Sequence, residues 1–131
     1  MVFRFSYSSS AKTRSTAHAS RNISSPPTPN PTNLYFEPGN ISPKNLIGNI
    51  KKGIYLTELM GSSVNLTNGD YSRGGSGFWI DKGEITYPIN GITIADNLNE
   101  MFKKIILAND LEFKQGLNSP TMLIEDMIVA G

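Results

Sequence analysis

The chain contains no cysteine and only one histidine, His18. That excludes a disulfide framework, a cysteine-ligated metal site and thiol nucleophiles. A Ser–His–Asp triad has no histidine to use among the apolar segments. No apolar run approaches the roughly 18–20 residues that a membrane-spanning helix needs. Excess charge is missing as well. Twelve basic and 11 acidic residues among 131 leave a formal +1, too little to steer nucleic acid or an anionic membrane. Acids are absent altogether from the first 32 residues, which carry Arg4, Lys12, Arg14 and Arg21.

What is present is unevenly distributed. Residues 1–31 form a polar, basic, Ser-rich leader, and Pro26, Pro27, Pro29 and Pro31 crowd its end. Arg and Ser without acids fit an organelle transit peptide, or a disordered or truncated remnant. The leader lacks the apolar core of a secretory signal, so the sequons at Asn22, Asn40 and Asn65 carry no weight. Residues 32–131 hold all 11 acids and nearly all the aliphatic side chains. A body of about 100 residues buries only some 60–65% of its unfolded surface and is marginal alone.

Local patterns predict a small α+β body. Leu34-Tyr35-Phe36 reads as a strand ended by Pro38-Gly39. Ser42 is placed to cap a helix with Pro43 at its first position, Leu46, Ile47 and Ile50 on its apolar stripe and Gly53 as its C′ residue. Ile54–Leu59 reads as a buried strand, and residues 61–77 as a long Gly-, Ser- and Asn-rich loop. Phe78-Trp79-Ile80, Asp81-Lys82-Gly83 and Glu84-Ile85-Thr86-Tyr87 form a hairpin signature. Ile92-Thr93-Ile94 is a further strand. The spacing of Leu98, Met101, Phe102, Ile105 and Ile106 predicts a helix from about Asp96 to Ala108, with Lys103 and Lys104 toward solvent. Met122-Leu123-Ile124 and Met127-Ile128-Val129 suggest a final strand or a bent pair. Strands outnumber helices without alternating regularly with them, which favours α+β over a doubly wound sheet.

No catalytic constellation emerges from these residues. Glu125 and Asp126 are adjacent, so on a strand they point to opposite faces. Glu58 lies inside an apolar strand and either has a partner or marks an exposed face. The segment Gly69–Gly77 is the most specialised. Its glycines permit close backbone approach, and Arg73 suits a carboxylate or phosphate. The alternative is a long turn held by Asp70 and Arg73. Trp79, Tyr71 and Tyr87 either form a stacking platform or pack a core.

Longer runs carry a resemblance. Thr32-Asn33-Leu34-Tyr35-Phe36-Glu37-Pro38-Gly39 is followed by Gly53-Ile54-Tyr55-Leu56-Thr57-Glu58-Leu59-Met60-Gly61. Val64-Asn65 precedes Thr67-Asn68-Gly69-Asp70-Tyr71-Ser72-Arg73-Gly74. Gly77-Phe78-Trp79-Ile80, Gly83-Glu84-Ile85-Thr86-Tyr87-Pro88-Ile89 and Ile92-Thr93-Ile94-Ala95-Asp96-Asn97-Leu98 complete the series. In this order and spacing the runs resemble the C-terminal region of the TldD/PmbA family, once described as modulators of DNA gyrase, on its PmbA (TldE) branch. Ser63 departs from the glycine usual before Val-Asn.

The resemblance implies a C-terminal domain over 32–131 of mostly antiparallel strands with two helices, incomplete without an N-terminal domain, as in a truncated or split product. It implies a bacterial cytoplasmic heterodimer that degrades peptides and matures peptide antibiotics. The TldD-like partner would carry zinc through H-E-x-x-x-H. This chain lacks that motif, so neither catalytic nor metal residues are expected in it and no cofactor of its own. Peptide and the TldD-like subunit are the expected partners, with no nucleic acid and no membrane. Glu58, Asn65, Asp70, Ser72, Arg73, Gly74 and Trp79 are the candidate substrate-groove or partner contacts. A stand-alone peptide- or ligand-binding module using the Gly-rich segment and Trp79, or a functionless product of a degraded gene, are the alternatives.

Overall fold

The computed structural model describes residues 18–31, 33–114 and 116–131. Residues 1–17, with most of the basic leader, lie outside the described residues, as do Thr32 and Gln115.

Two compact units divide the chain. In the first, β1 (Ala19–Ser20) pairs antiparallel with β2 (Thr28–Pro29). In the same unit β3 (Leu34–Tyr35) runs parallel to β8 (Leu117–Asn118). Tyr35 meets Phe113 edge to face, ring centroids 5.2 Å apart.

The second unit comprises Phe36–Glu112 and Ser119–Gly131. It opens on helix α1 (Pro43–Gly48), whose N-cap Ser42 accepts a hydrogen bond from the Asn45 N–H. Proline at the first position costs nothing because that N–H has no helical partner. The helix is capped by Asn49 in αR conformation, not by Gly53; Gly53 already belongs to the next strand. Three long strands follow: β4 (Lys52–Val64), β5 (Asp70–Asp81) and β6 (Glu84–Asn97). They form an antiparallel meander, and β10 (Ile128–Ala130) adds to β6, giving the order β10-β6-β5-β4.

The hairpin at 78–87 takes the form its sequence predicts. Lys82 and Gly83 both have positive φ, 49° and 82°, the two-residue turn whose twist matches the flanking strands.

Residues 61–77 are not a loop. Five residues, 65–69, connect β4 to β5, and all three glycines between 74 and 77 lie within β5. They are there because β4 crowds the strand. A Cβ on Gly77 would overlap the Tyr55 carbonyl oxygen and come within 2.9 Å of Leu56 Cα, and one on Gly75 would come within 3.0 Å of Leu56 Cδ2. Glycine inside a strand often marks such close backbone approach.

The predicted helix over 96–108 is also corrected. Helix α2 covers only Leu98–Met101, with Asn97 rather than Asp96 as N-cap. It tightens into i→i−3 bonds from Lys103 to Glu100 and from Lys104 to Met101. The chain then extends as β7 (Ile105–Leu107), antiparallel to β9 (Met122–Ile124). The apolar spacing fitted a helix, but two β-branched isoleucines found strand partners, and tertiary pairing overrode propensity. Phe102 is consequently 62% exposed. The C-terminal apolar runs are two short strands in separate sheets.

The core of this unit is small: Leu46, Ile80, Ile94, Met101 and Ala108 are its buried apolar residues. Ala108 is fully enclosed, its N–H donating to the Thr121 carbonyl and its carbonyl accepting from Gly39. The strand predicted as buried over 54–59 is largely open, with Tyr55 37% and Leu59 42% exposed.

Candidate functional site

The strand β5 carries most of the candidate residues, and its geometry decides which of them meet. The β4–β5 ladder is irregular at Thr57 and at Gly61–Ser62, the β5–β6 ladder at Thr86–Tyr87 and at Asn90–Gly91. Every inserted residue lies in β4 or β6. The side chains of β5 therefore alternate strictly between faces. Asp70, Ser72 and Gly74 share one face. Arg73 and Trp79 occupy the other, six residues apart, about 20 Å along the strand. Glu58 pairs with Ser76 and so joins the first face.

Asn65 and Asp70 meet at the β4–β5 turn. The Asn65 N–H donates to the Asp70 carbonyl at 2.8 Å, and the Asn65 side-chain oxygen accepts from the Thr67 N–H at 2.9 Å. Asp70 Oδ2 accepts from Asn68 Nδ2 at 2.7 Å, and Asp70 N–H donates to Asn68 Oδ1 at 3.1 Å. Asn97, at the far end of β6, donates from Nδ2 to the Asn68 carbonyl at 2.9 Å. Gly69 reverses the chain with φ 84° and accepts from the Leu98 N–H at 2.7 Å. Asp70 thus ties the turn to Asn68 and Asn97, not to Arg73. Sequence reasoning missed Asn68 and Asn97; the signal available was the Asn68-Gly69 pair, a strong hairpin marker.

Arg73 lies half-buried on β5, opposite Ile94. Its Nη2 reaches the Leu59 carbonyl at 3.4 Å, and its Nε is buried with no hydrogen-bond partner. On the same face, two residues back along β5, Tyr71 stands opposite Asp96. Asp96 Oδ1 accepts from the Asn97 N–H at 2.7 Å. Its Oδ2 is buried without a hydrogen bond, with Lys104 Nζ at 3.7 Å. Buried polar atoms without a hydrogen bond are uncommon; this face has two, Arg73 Nε and Asp96 Oδ2, the second held only by the Lys104 ion pair. Trp79 is half-buried opposite Ile54 and stacks on Tyr87 at 6.3 Å with 12° between ring planes. Glu58 is exposed.

Among the described residues no group of three or more His, Cys, Asp and Glu side chains is placed to hold a metal ion. No helix among them is long and apolar enough to cross a membrane.

Comparison with known proteins places this architecture. The PmbA/TldA metallopeptidase C-terminal domain family matches residues 2–131. A "Metalloprotease PmbA homolog" of Buchnera aphidicola is 42% identical over 93 residues, covering 70% of this chain and 21% of its own length. The "Metalloprotease PmbA" of Escherichia coli O157:H7 is 45% identical over 80 residues, 60% of this chain and 18% of its own. The chain thus spans about a fifth of the length of these curated relatives. The crystal structure of TldE from Thermococcus kodakarensis superposes with a TM-score of 0.77 at 25% identity, over 92% of this chain and 28% of that one. The mostly antiparallel fold with two short helices matches that structure.

Proposed function

The chain belongs to the PmbA/TldA metallopeptidase C-terminal domain family, and from that premise we propose that it is the PmbA (TldE)-type, metal-free half of a two-subunit peptidase. A TldD-like subunit would bring the zinc. This chain would contribute sheet surface to the peptide path and to the subunit contact, in a cytoplasmic complex that trims and matures peptides.

The observation that supports this most is the family match over residues 2–131 in a chain with a single histidine and no cysteine. Zinc in a peptidase is held by His, Cys and carboxylate side chains converging within about 2.0–2.3 Å of the ion. The described residues offer no such convergence, so zinc does not fit them.

In this reading the two faces of β5 divide the work. The Asn65–Asp70 turn, locked by Asn68 and Asn97, fixes the start of the strand. Arg73, with an unused donor, meets a carboxylate from a peptide or from the partner. Ser72, Gly74 and Glu58 line the opposite face, and Trp79 on its stack with Tyr87 offers a flat apolar surface. Co-expression with a TldD-type subunit tests the reading. Peptide hydrolysis should require both chains. Arg73→Ala should weaken peptide or subunit binding by about 1–3 kcal/mol, as for loss of a charge-assisted contact, with little change in the melting temperature of the isolated chain. Hydrolysis by the TldD-type chain alone at the full rate would contradict it.

A further inference from the structure

Among the described residues, no strand pairs with the free side of the sheet's outer strand, β4. β4 runs 13 residues, Lys52–Val64, and among the described residues β5 is its only neighbour. At about 3.3 Å per residue this edge extends some 43 Å. Long open edges template pairing with other chains, and proteins usually blunt them with proline, charge, bulges or short length. β4 contains no proline and, between Lys52 and Glu58, no charge. Its bulge at Thr57 leaves Lys52–Leu56 as the longest regular stretch, held in continuous register against Gly77–Asp81.

Charges bracket that stretch. Lys51 and Lys52 are exposed at its start, and Glu58 is exposed just past the bulge. None of the three forms an ion pair among the described residues, and Asp81, which faces Lys52 in the ladder, is not paired with it. An extended segment added antiparallel to β4 has its C-terminal end beside Lys51 and Lys52 and its N-terminal end beside Glu58. A parallel one would set its carboxylate against Glu58 and its ammonium against two lysines. From Lys52 to Glu58 the distance is about 20 Å, the reach of five or six extended residues.

We propose that the Lys52–Glu58 edge of β4 binds a short extended peptide of five or six residues with both termini free, antiparallel to the strand, its carboxylate at Lys51 and Lys52 and its ammonium at Glu58. Main-chain hydrogen bonds supply sequence-tolerant affinity in such strand addition, and flanking side chains select what lies between them. Here Tyr55 on one face and Ile54 and Leu56 on the other favour apolar or β-branched residues in the peptide. The inference rests on the peptide reading above and adds to it a place, a polarity and a length.

Hydrogen–deuterium exchange of the full chain, titrated with the hexapeptide Ala-Val-Thr-Val-Thr-Ala, tests it. Slowed exchange confined to residues 52–58 is expected. Amidating the peptide C-terminus should weaken binding about 1.5- to 5-fold, the range of an exposed ion pair, as should acetylating its N-terminus. Lys51→Ala with Lys52→Ala should weaken the free-acid peptide but not the amide, and Glu58→Gln the free-amine peptide but not the acetylated one. Protection elsewhere, insensitivity to both termini, or protection of 52–58 that depends on chain concentration without peptide would overturn the proposal, the last by assigning the edge to a second copy. Should the edge fail to bind while the two-subunit mixture still hydrolyses peptide, this inference falls and the proposed function stands. The converse pattern leaves the edge site and removes the two-subunit reading.

Discussion

Replacing Gly77 with alanine probes whether the Gly-rich segment is a strand pressed against β4. An added Cβ there overlaps the Tyr55 carbonyl oxygen and approaches Leu56 Cα to 2.9 Å. Both obstacles are backbone, so they yield only if β4 shifts away and the ladder between Tyr55–Leu56 and Gly77–Phe78 loosens. Overpacking of this kind costs about 1–3 kcal/mol. Gly74 is the control, three residues earlier on the same strand. Its added Cβ would meet Met60 Cβ at 3.7 Å and backbone oxygens at 3.8 and 3.9 Å, ordinary contacts, and its φ is not positive. Gly74→Ala should therefore be neutral, or stabilising by up to about 1 kcal/mol through the lost freedom of the unfolded chain. Urea unfolding followed by circular dichroism measures both. The midpoint for Gly77→Ala should fall clearly below wild type, and that for Gly74→Ala should not. If the two variants agree within about 0.5 kcal/mol, the segment is not pressed against β4 and the strand account of it is wrong.

Other outcomes follow from the same structure. Ile80, 1% exposed, should cost about 2–5 kcal/mol when cut to alanine, whereas Phe102, 62% exposed, should cost under about 1 kcal/mol; comparable losses in calorimetry would restore the longer helix. Asn97→Ala should destabilise by about 0.5–2 kcal/mol, because it removes both the cap of α2 and the bond to the Asn68 carbonyl. The Asp110 carboxyl is held below its ordinary value chiefly by the Thr121 hydroxyl, 2.7 Å away, with help from the Thr121 N–H. A lowered folded-state pKa adds stability above the unfolded value of 3.8, and that stability is lost as pH falls through the folded value. Thr121→Val should accordingly be less stable than wild type at pH 6, and the gap should close below about pH 4.

The elements that could be read from the sequence were those with local chemistry. Ser42-Pro43 starts α1 because capping involves residues three apart, and Lys82-Gly83 turns because its φ values suit few other residues. The misreadings share a cause. Gly74, Gly75 and Gly77 look like a flexible loop until β4 lies beside them, and Ile105-Ile106 look helical until Met122–Ile124 pair with them; both depend on distant chain. The family resemblance was legible in the order of runs from Thr32 to Leu98, a pattern no single run carries. The candidate residues clustered in sequence, yet strict alternation along β5 set Arg73 and Trp79 on one face and Asp70, Ser72 and Gly74 on the other. Asn97 escaped notice because its partner Asn68 lies 29 residues away.

The central claim is that this domain works with a zinc-bearing subunit and holds no zinc itself. Co-expression with a TldD-type subunit, chelator washing, and light scattering with zinc quantification on the eluted peak test it directly. The account predicts one complex containing both chains, with zinc equal to the TldD-type subunit content, and a metal-free pool of this chain alone. A separate elution of the two chains, or one tightly held zinc per copy of this chain alone, would contradict it.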